Sequence, residues 1–312
     1  MFQTPILFLI FNRPDHTRII FEAIKAIKPA QLFIAADGPR QSVFEDIENC
    51  KKAREVIHQI DWDCDLKILF RDENLKCRYA VSSAINWFFD QVEEGIILED
   101  DTLPDISFFT FCEELLIRYR DNERIRHVNG TNWLLGKNFT GSDSYYFSNY
   151  CHPWGWATWK RAWKDFDVHL AGFDESKLRN RLNQFTEKSE VVEFWINNLK
   201  ATDSKEIDSW DYQWFYALWM NNGLAATSAV NLITNIGFGE NATNTKYIHT
   251  RIGNMKRGSL KTIHHPVEIA VNGRADDYAM QTRLKEGRSN LFEKVQAKMA
   301  LLLSSQKNAP KL

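Results

Sequence analysis

Four short apolar runs fall in the first hundred residues, and each breaks into polar or turn-forming residues. The first is Pro5-Ile6-Leu7-Phe8-Leu9-Ile10-Phe11, which ends in Asn12-Arg13-Pro14-Asp15. The second is Gln31-Leu32-Phe33-Ile34-Ala35-Ala36, which ends in Asp37-Gly38-Pro39. Leu66-Lys67-Ile68-Leu69-Phe70 is the third, and the run from Gly95 to Leu98 is the fourth. Runs of this length bounded by turn residues read as strands buried on both faces. Between them lie stretches of helical spacing: 16–27, with Ile19, Ile20, Ala23, Ile24 and Ile27 on one side, then 44–60 and 78–92. Strand and helix in strict alternation predict an α/β fold with a mostly parallel central sheet flanked by helices. Ligands of such sheets bind beyond the carboxyl ends of the strands. Asn12-Arg13, Asp37-Gly38 and Glu99-Asp100-Asp101 all occupy that end.

The fourth run is the most informative. Ile96-Ile97-Leu98 gives way at once to three acids, then to Thr102-Leu103-Pro104. Three carboxylates at the rim of a sheet need a cation, a hydrogen-bonding ligand or water. Carboxylates suit hard divalent ions such as Mn²⁺ or Mg²⁺, which also bind phosphate oxygens. A solvated acidic turn is the plain alternative. Taken singly, Arg13 also reads as a surface turn residue and Asp37 as a turn former.

Other classes recede. No Gly-x-Gly-x-x-Gly follows the first run and no Gly-Lys-Ser/Thr loop is present, which disfavours a dinucleotide enzyme or a P-loop ATPase. The net charge of −2 gives no bulk attraction to nucleic acid. The five cysteines are scattered without zinc-like spacing, and their odd number argues against a complete disulfide framework, so a cytoplasmic setting is expected. The N-terminus has no basic region and no small-residue cleavage site ahead of its apolar run, so no signal peptide is expected.

The second half differs in texture. Residues 106–119 read as a helix and 126–131 as a strand. From about Lys137 the chain is dense in aromatics, including His152-Pro153-Trp154-Gly155-Trp156. Among the 11 tryptophans, flat faces suit sugar rings, although plain core is an equal expectation for any one of them. Residues 173–200 read as one amphipathic helix, 210–221 as a short aromatic helix and 232–236 as a strand. At 289–305 a further amphipathic helix is expected, with Leu291, Val295, Met299 and Leu302 near helical spacing. It would pack on the domain or touch an anionic membrane surface. The divisions expected are 1–135 for nucleotide-sugar binding, 136–250 for the acceptor-side and catalytic half, and 251–312 for a C-terminal extension.

The stretch 96–109, Ile-Ile-Leu-Glu-Asp-Asp-Thr-Leu-Pro-Asp-Ile-Ser-Phe-Phe, resembles the Glu-Asp-Asp form of the Asp-x-Asp motif of GT-A glycosyltransferases. It is most similar to the N-acetylglucosaminyltransferase I group and its bacterial relatives. Phe11-Asn12-Arg13-Pro14, Ala36-Asp37-Gly38, Asn74-Leu75-Lys76-Cys77-Arg78-Tyr79-Ala80 and Ser209-Trp210-Asp211-Tyr212-Gln213-Trp214 extend the likeness over roughly residues 5–245. The resemblance implies a Rossmann-like GT-A fold that binds a nucleotide-diphosphosugar, a UDP-sugar first of all, with Mn²⁺ or Mg²⁺. It places Asp101 on the metal, Asp100 at the ribose and Glu99 at the transferred sugar. Asn12, Arg13 and Asp37 would lie at the base and ribose, and Lys76 or Arg78 near the diphosphate. Asp211 would be the catalytic base, with Asp208 as runner-up. As plain helix residues, Asp208 would cap the aromatic helix and Asp211 would be a first-turn acid. His152, Trp154 and Trp156 would lie on the acceptor side, facing a carbohydrate or lipid-linked glycan. One departure is Ala242-Thr243-Asn244-Thr245, where relatives often carry His at the third position; His249 is the possible substitute. The function implied is inverting sugar transfer. The alternatives are a sugar nucleotidylyltransferase and a non-catalytic glycan-binding protein of the same fold.

Overall fold

The computed structural model describes residues 1–238, 251–253 and 255–286. The first half follows the alternation read above: β1 (Ile6–Ile10), α1 (Pro14–Ile27), β2 (Gln31–Ala36), α2 (Phe44–Arg54), a 3₁₀ turn (Glu55–Gln59), β3 (Asp65–Phe70), α3 (Lys76–Phe89) and β4 (Glu94–Glu99). The apolar runs are continuous because each strand feeds two cores. Leu7, Leu9 and Ile97 face one core, whereas Ile6, Phe8, Ile10, Ile96 and Leu98 face the other. Pro14 opens α1 with φ already set and no donor to lose, and Lys28 closes it in a left-handed conformation.

The second half continues with β5 (Thr102–Pro104), α4 (Ile106–Arg118), β6 (Ile125–Asn129), β7 (Tyr145–Ser148), β8 (Trp156–Trp159), α5 (Lys160–Trp163), α6 (Glu175–Leu182), α7 (Ser189–Asp203), α8 (Asp211–Met220), β9 (Leu224–Ser228) and β10 (Ile233–Asn235). Residues 273–286 form one more helix, α9. The main sheet has eight strands in the order β3-β2-β1-β4-β8-β6-β9-β7. Pairing is parallel from β3 through β4 and again between β6 and β9, and antiparallel at β4–β8, β8–β6 and β9–β7. The parts of the chain on either side of residue 135 share this one sheet. β8, from the second half, pairs with β4 of the first along Glu94↔Trp159 to Ile97↔Trp156. A second, two-stranded sheet joins β10 to β5 in antiparallel register, Asn235 opposite Thr102.

Two expectations are corrected here. The long helix at 173–200 is two, α6 and α7, interrupted at 183–188. The aromatic helix starts at Asp211, and its N-cap is Trp210 with no side-chain cap bond, so Asp208 is not the cap. The amphipathic stretch 289–305, with Asn244 and His249, lies outside the described residues. Among the described residues, no helix is long and apolar enough to cross a membrane. None of the five cysteines is disulfide-bonded.

Candidate active site

The parallel register sets β1, β2 and β4 ending side by side. Leu9 lies opposite Glu99 and Ile10 opposite Ala36, so the residues that follow converge on one rim. At that rim the Phe11 backbone N–H donates to Asp100 Oδ2 at 3.1 Å. Arg13 Nη1 donates to Asp101 Oδ2 at 2.9 Å and lies 3.9 Å from Asp100 Oδ1. Thr102 closes the acidic turn, its hydroxyl accepting from Glu99 N–H and donating to Glu99 C=O, both at 3.0 Å. The register of β10 on β5 then brings Ile236 N–H to Asp101 C=O at 2.8 Å. Gly237 follows, so close that a Cβ there would sit 2.3 Å from Asp101 Oδ2. Any side chain at this position would force the Asp101 carboxylate to shift.

The electrostatics of the rim are set by burial first and by crowding of like charges second. Asp100 is 8% exposed, and burial followed by the neighbouring Asp101 pushes its carboxyl up to about 7, with Arg13 and the Phe11 N–H opposing. Glu99 is held well above the usual carboxylate range by burial first, then by Asp101, Asp100 and Asp211. That last influence matters: Asp211, from the second half, is close enough to repel charge on Glu99. The Cys77 thiol, raised mainly by burial, feels Glu99, Asp211, Asp208 and Asp101 together. His16, between Arg13 and Asp101 in electrostatic terms, has a buried Nδ1 without a partner.

A divalent cation fits this donor set. Among the described residues, no group of three or more His, Cys, Asp or Glu is arranged to hold a metal by itself. A Mg²⁺- or Mn²⁺-diphosphate site takes only one or two protein carboxylates and completes its shell with phosphate oxygens and water. Asp101, partly exposed beside the more buried Asp100, has that character, and a cation would relieve the repulsion that raises Asp100 and Glu99.

The remaining first-half residues have partners of their own. Asn12 Nδ2 donates to Asp46 Oδ1 at 2.7 Å. Asp46 is buried, and Arg40 also binds it, through Nε at 2.6 Å and Nη2 at 2.9 Å. The Arg40 guanidinium lies 5.6 Å from the Phe11 ring centre. Sequence reasoning missed both Asp46 and Arg40; the signal was an acid in the first turn of a helix with a basic residue just ahead of it. Asp37 accepts from Asn74 Nδ2 at 2.9 Å and from Leu75 N–H at 3.0 Å. It thereby pins the segment that presents the exposed Lys76 at the head of α3, where Lys76 itself has φ 63°. Arg78 is a correction. It is 3% exposed, and its Nη2 donates to Thr202 C=O and Ile207 C=O, both at 2.6 Å. Its charge holds the end of α7 and the approach to Asp208 instead of facing a diphosphate.

On the acceptor side, Asp211 opens α8, and its Oδ1 accepts from Ser209 Oγ. Asp208 is exposed. His152 is 1% exposed and held neutral, its imidazole pushed down to about 3 by burial, Arg283 and His127. Its backbone N–H donates to Asn129 Oδ1 at 2.7 Å. Trp154 is partly exposed and meets Phe238 edge-on at 5.6 Å, next to Gly237. Trp156 is the second correction. It is 0% exposed in β8 and stacked on His127 at 4.9 Å and Trp210 at 5.5 Å. It carries the sheet's core and has no face to offer a sugar.

No family model matches the chain, and no curated protein matches it. Among solved structures, HddC from Yersinia pseudotuberculosis is similar at 9% identity and a TM-score of 0.30, over 52% of this chain and 80% of that one. The same protein complexed with GMP-PN gives 9% and 0.31, over 52% and 80%. UDP-glucose pyrophosphorylase complexed with UDP-glucose gives 10% and 0.31, over 52% and 78%. A likeness of this degree carries no argument about function.

Proposed function

We propose that this protein is a divalent-metal-dependent, inverting glycosyltransferase that moves a sugar from a nucleotide-diphosphosugar, a UDP-sugar, to a hydroxyl of a glycan or lipid-linked glycan precursor. One observation carries the reading: the crowded Glu99-Asp100-Asp101 end of β4 lies against Arg13 and Gly237 and within the electrostatic reach of Asp211. In this reading the first-half acids hold the metal-bound leaving group and Asp211, whose charge is felt at Glu99, is the separate base.

Asp101, steadied by Arg13, holds Mn²⁺ or Mg²⁺ in this reading. When bound, such an ion would supply Lewis-acid stabilisation to the departing nucleotide diphosphate. Asp100, fixed by the Phe11 N–H, accepts from the ribose, and Glu99 accepts from hydroxyls of the transferred sugar. Lys76 lies at the phosphates, and Asn12 with Asp37 shapes the nucleoside end through the contacts they make to Asp46 and Asn74. Asp211, its rotamer set by Ser209, takes the proton of the acceptor hydroxyl. Trp154 contributes an apolar edge for the acceptor ring.

A nucleotide-sugar panel assayed for hydrolysis tests the reading. Release of UDP from at least one UDP-sugar, abolished by EDTA, is expected. Consumption of a nucleoside triphosphate with a sugar 1-phosphate would assign nucleotidylyl transfer instead, and binding without turnover of any kind would leave a glycan-binding protein.

A further inference from the structure

The second half holds a further group of polar atoms that the transfer step above does not use. Helix α9 is anchored by Asp276, whose buried carboxylate accepts from Ser148 Oγ and from Asn149 N–H at 2.9 Å. Seven residues on, and so on the same face of the helix, stands Arg283. Its guanidinium carbon lies 4.7 Å from the ring centre of Trp133, 5.2 Å from Trp195 and 5.3 Å from Phe194. Its one hydrogen bond among the described residues is long, 3.5 Å from Nη2 to Tyr212 Oη, and among those residues no carboxylate pairs with it.

The neighbours of Arg283 are also short of partners. The indole Nε1 atoms of Trp133 and Trp195 and the Nδ1 of His152 are buried and form no hydrogen bond. The Trp133 and His152 rings are 4.4 Å apart, so these atoms belong to the same cluster as the guanidinium. Buried polar groups are nearly always satisfied. Indole N–H groups only donate, and a guanidinium held by aromatic faces keeps most of its five donors in hand. A cation with no ion-pair partner among the described residues, packed with indoles whose own N–H groups are unpaired, is the complement of an oxyanion. Arg283 is partly exposed, so an incoming group meets the guanidinium first.

The cluster also lies beside the proposed base. Tyr212 follows Asp211 in α8, and both Asp211 and Arg283 act on the buried Cys151 thiol, with opposite sign. We propose that Arg283, with the indoles of Trp133 and Trp195, binds an oxyanion on the acceptor, the carboxylate of an acidic sugar or a phosphate carried by the glycan, and thereby selects anionic acceptors. The word acceptor rests on the transferase reading above; the anion site itself does not.

The test is calorimetry on the full chain in EDTA, where no metal-held phosphate contributes, with methyl β-glucuronide, glucose 6-phosphate and methyl β-glucoside as probes. Wild type is expected to bind one of the two anions roughly tenfold more tightly than the neutral glucoside, the scale of one charge-assisted hydrogen bond. The preferred anion names the carboxylate or the phosphate source. Arg283→Gln should erase the preference, and Arg283→Lys should keep part of it while losing the planar fork. A purely structural cation–π anchor would lower the melting temperature of both variants and leave wild type indifferent to charge. Equal affinity of wild type for all three probes, or a preference that survives Arg283→Gln, overturns the proposal. UDP binding with Mn²⁺ is measured on the same preparations. Its absence alongside an intact anion preference removes the transferase reading alone, and its presence without the preference removes the anion site alone.

Discussion

Arg13 and Asp101, 88 residues apart, are joined by a 2.9 Å ion pair across the ends of β1 and β4. The pair ties the first loop of the chain to the acidic turn, and it leaves Asp101 partly open to the rim. Around it the proposed chemistry divides cleanly: donor and metal on first-half residues, proton removal on a second-half carboxylate.

Asp211→Asn keeps size and hydrogen bonding but removes basicity. UDP-sugar affinity should stay near wild type, with transfer reduced by roughly 10²–10⁴-fold, the usual scale for a general base. Asp208→Asn should leave turnover largely intact and shift stability by no more than about 0.5 kcal/mol, because Asp208 is exposed and caps no helix. Steady-state transfer, donor binding and melting curves on both variants check this; a dead Asp208→Asn with an active Asp211→Asn would exchange their roles.

Gly237→Ala places a Cβ 2.3 Å from the present position of Asp101 Oδ2. The carboxylate must move and the Arg13 pair must loosen. Affinity for Mn²⁺–UDP is expected to fall at least about tenfold with little change in fold by circular dichroism, as misplacing a single ligand does. Unchanged affinity would show that Gly237 and Asp101 are not jointly part of the donor site.

Asp100 gives a pH signature. Its folded-state carboxyl titrates near 7, above the ordinary value of 3.8, so the folded chain binds more protons than the unfolded chain between these limits. Stability from this group is therefore lost as pH rises through that window. Asp100→Asn should gain on wild type between pH 5 and pH 8 in EDTA, by on the order of 1–3 kcal/mol. The comparison is made between variants because the buried His127 and His152, pushed down to about 3, act with the opposite sign at low pH in both. Parallel denaturation profiles for the two proteins would contradict the crowding at the rim.

Arg78→Met should cost on the order of 2–4 kcal/mol, since it leaves the buried Thr202 carbonyl and the partly buried Ile207 carbonyl without their charged donor. Lys76→Ala, at an exposed position, should leave the melting temperature unchanged and weaken donor binding. If Arg78→Met melts like wild type and loses donor affinity instead, the first expectation for Arg78 was right.

The pattern of these assignments shows what a chain of this kind discloses. β1, β2 and β4 are legible because strands buried on both faces must be apolar throughout and must stop where polar loops begin, whereas β3, an edge strand with Asp65 and Ile68 exposed, is marked only by its short apolar run; Glu99-Asp100-Asp101 declares itself by the contrast at the end of β4. β9 was not legible, since Leu224-Ala225-Ala226-Thr227-Ser228 is small and barely patterned. The break between α6 and α7 carries neither Gly nor Pro, so the apolar spacing seemed to run on. Trp156 and Arg78 were misplaced for a shared reason: their roles are set by partners distant in sequence, Trp210 and Thr202, and residue type alone favours a binding face for Trp and a phosphate for Arg. Helix α9 and Arg283 went unread because no apolar run marks that stretch.

The most direct measurement is calorimetric titration of UDP into wild type and Asp101→Ala, each with Mn²⁺ and each with EDTA. The account expects binding in wild type with Mn²⁺, its near-complete loss in EDTA, and the same loss in Asp101→Ala under both conditions while the melting temperature shows a folded chain. Equal UDP affinity in all four titrations, or no UDP binding by wild type with Mn²⁺, would contradict it.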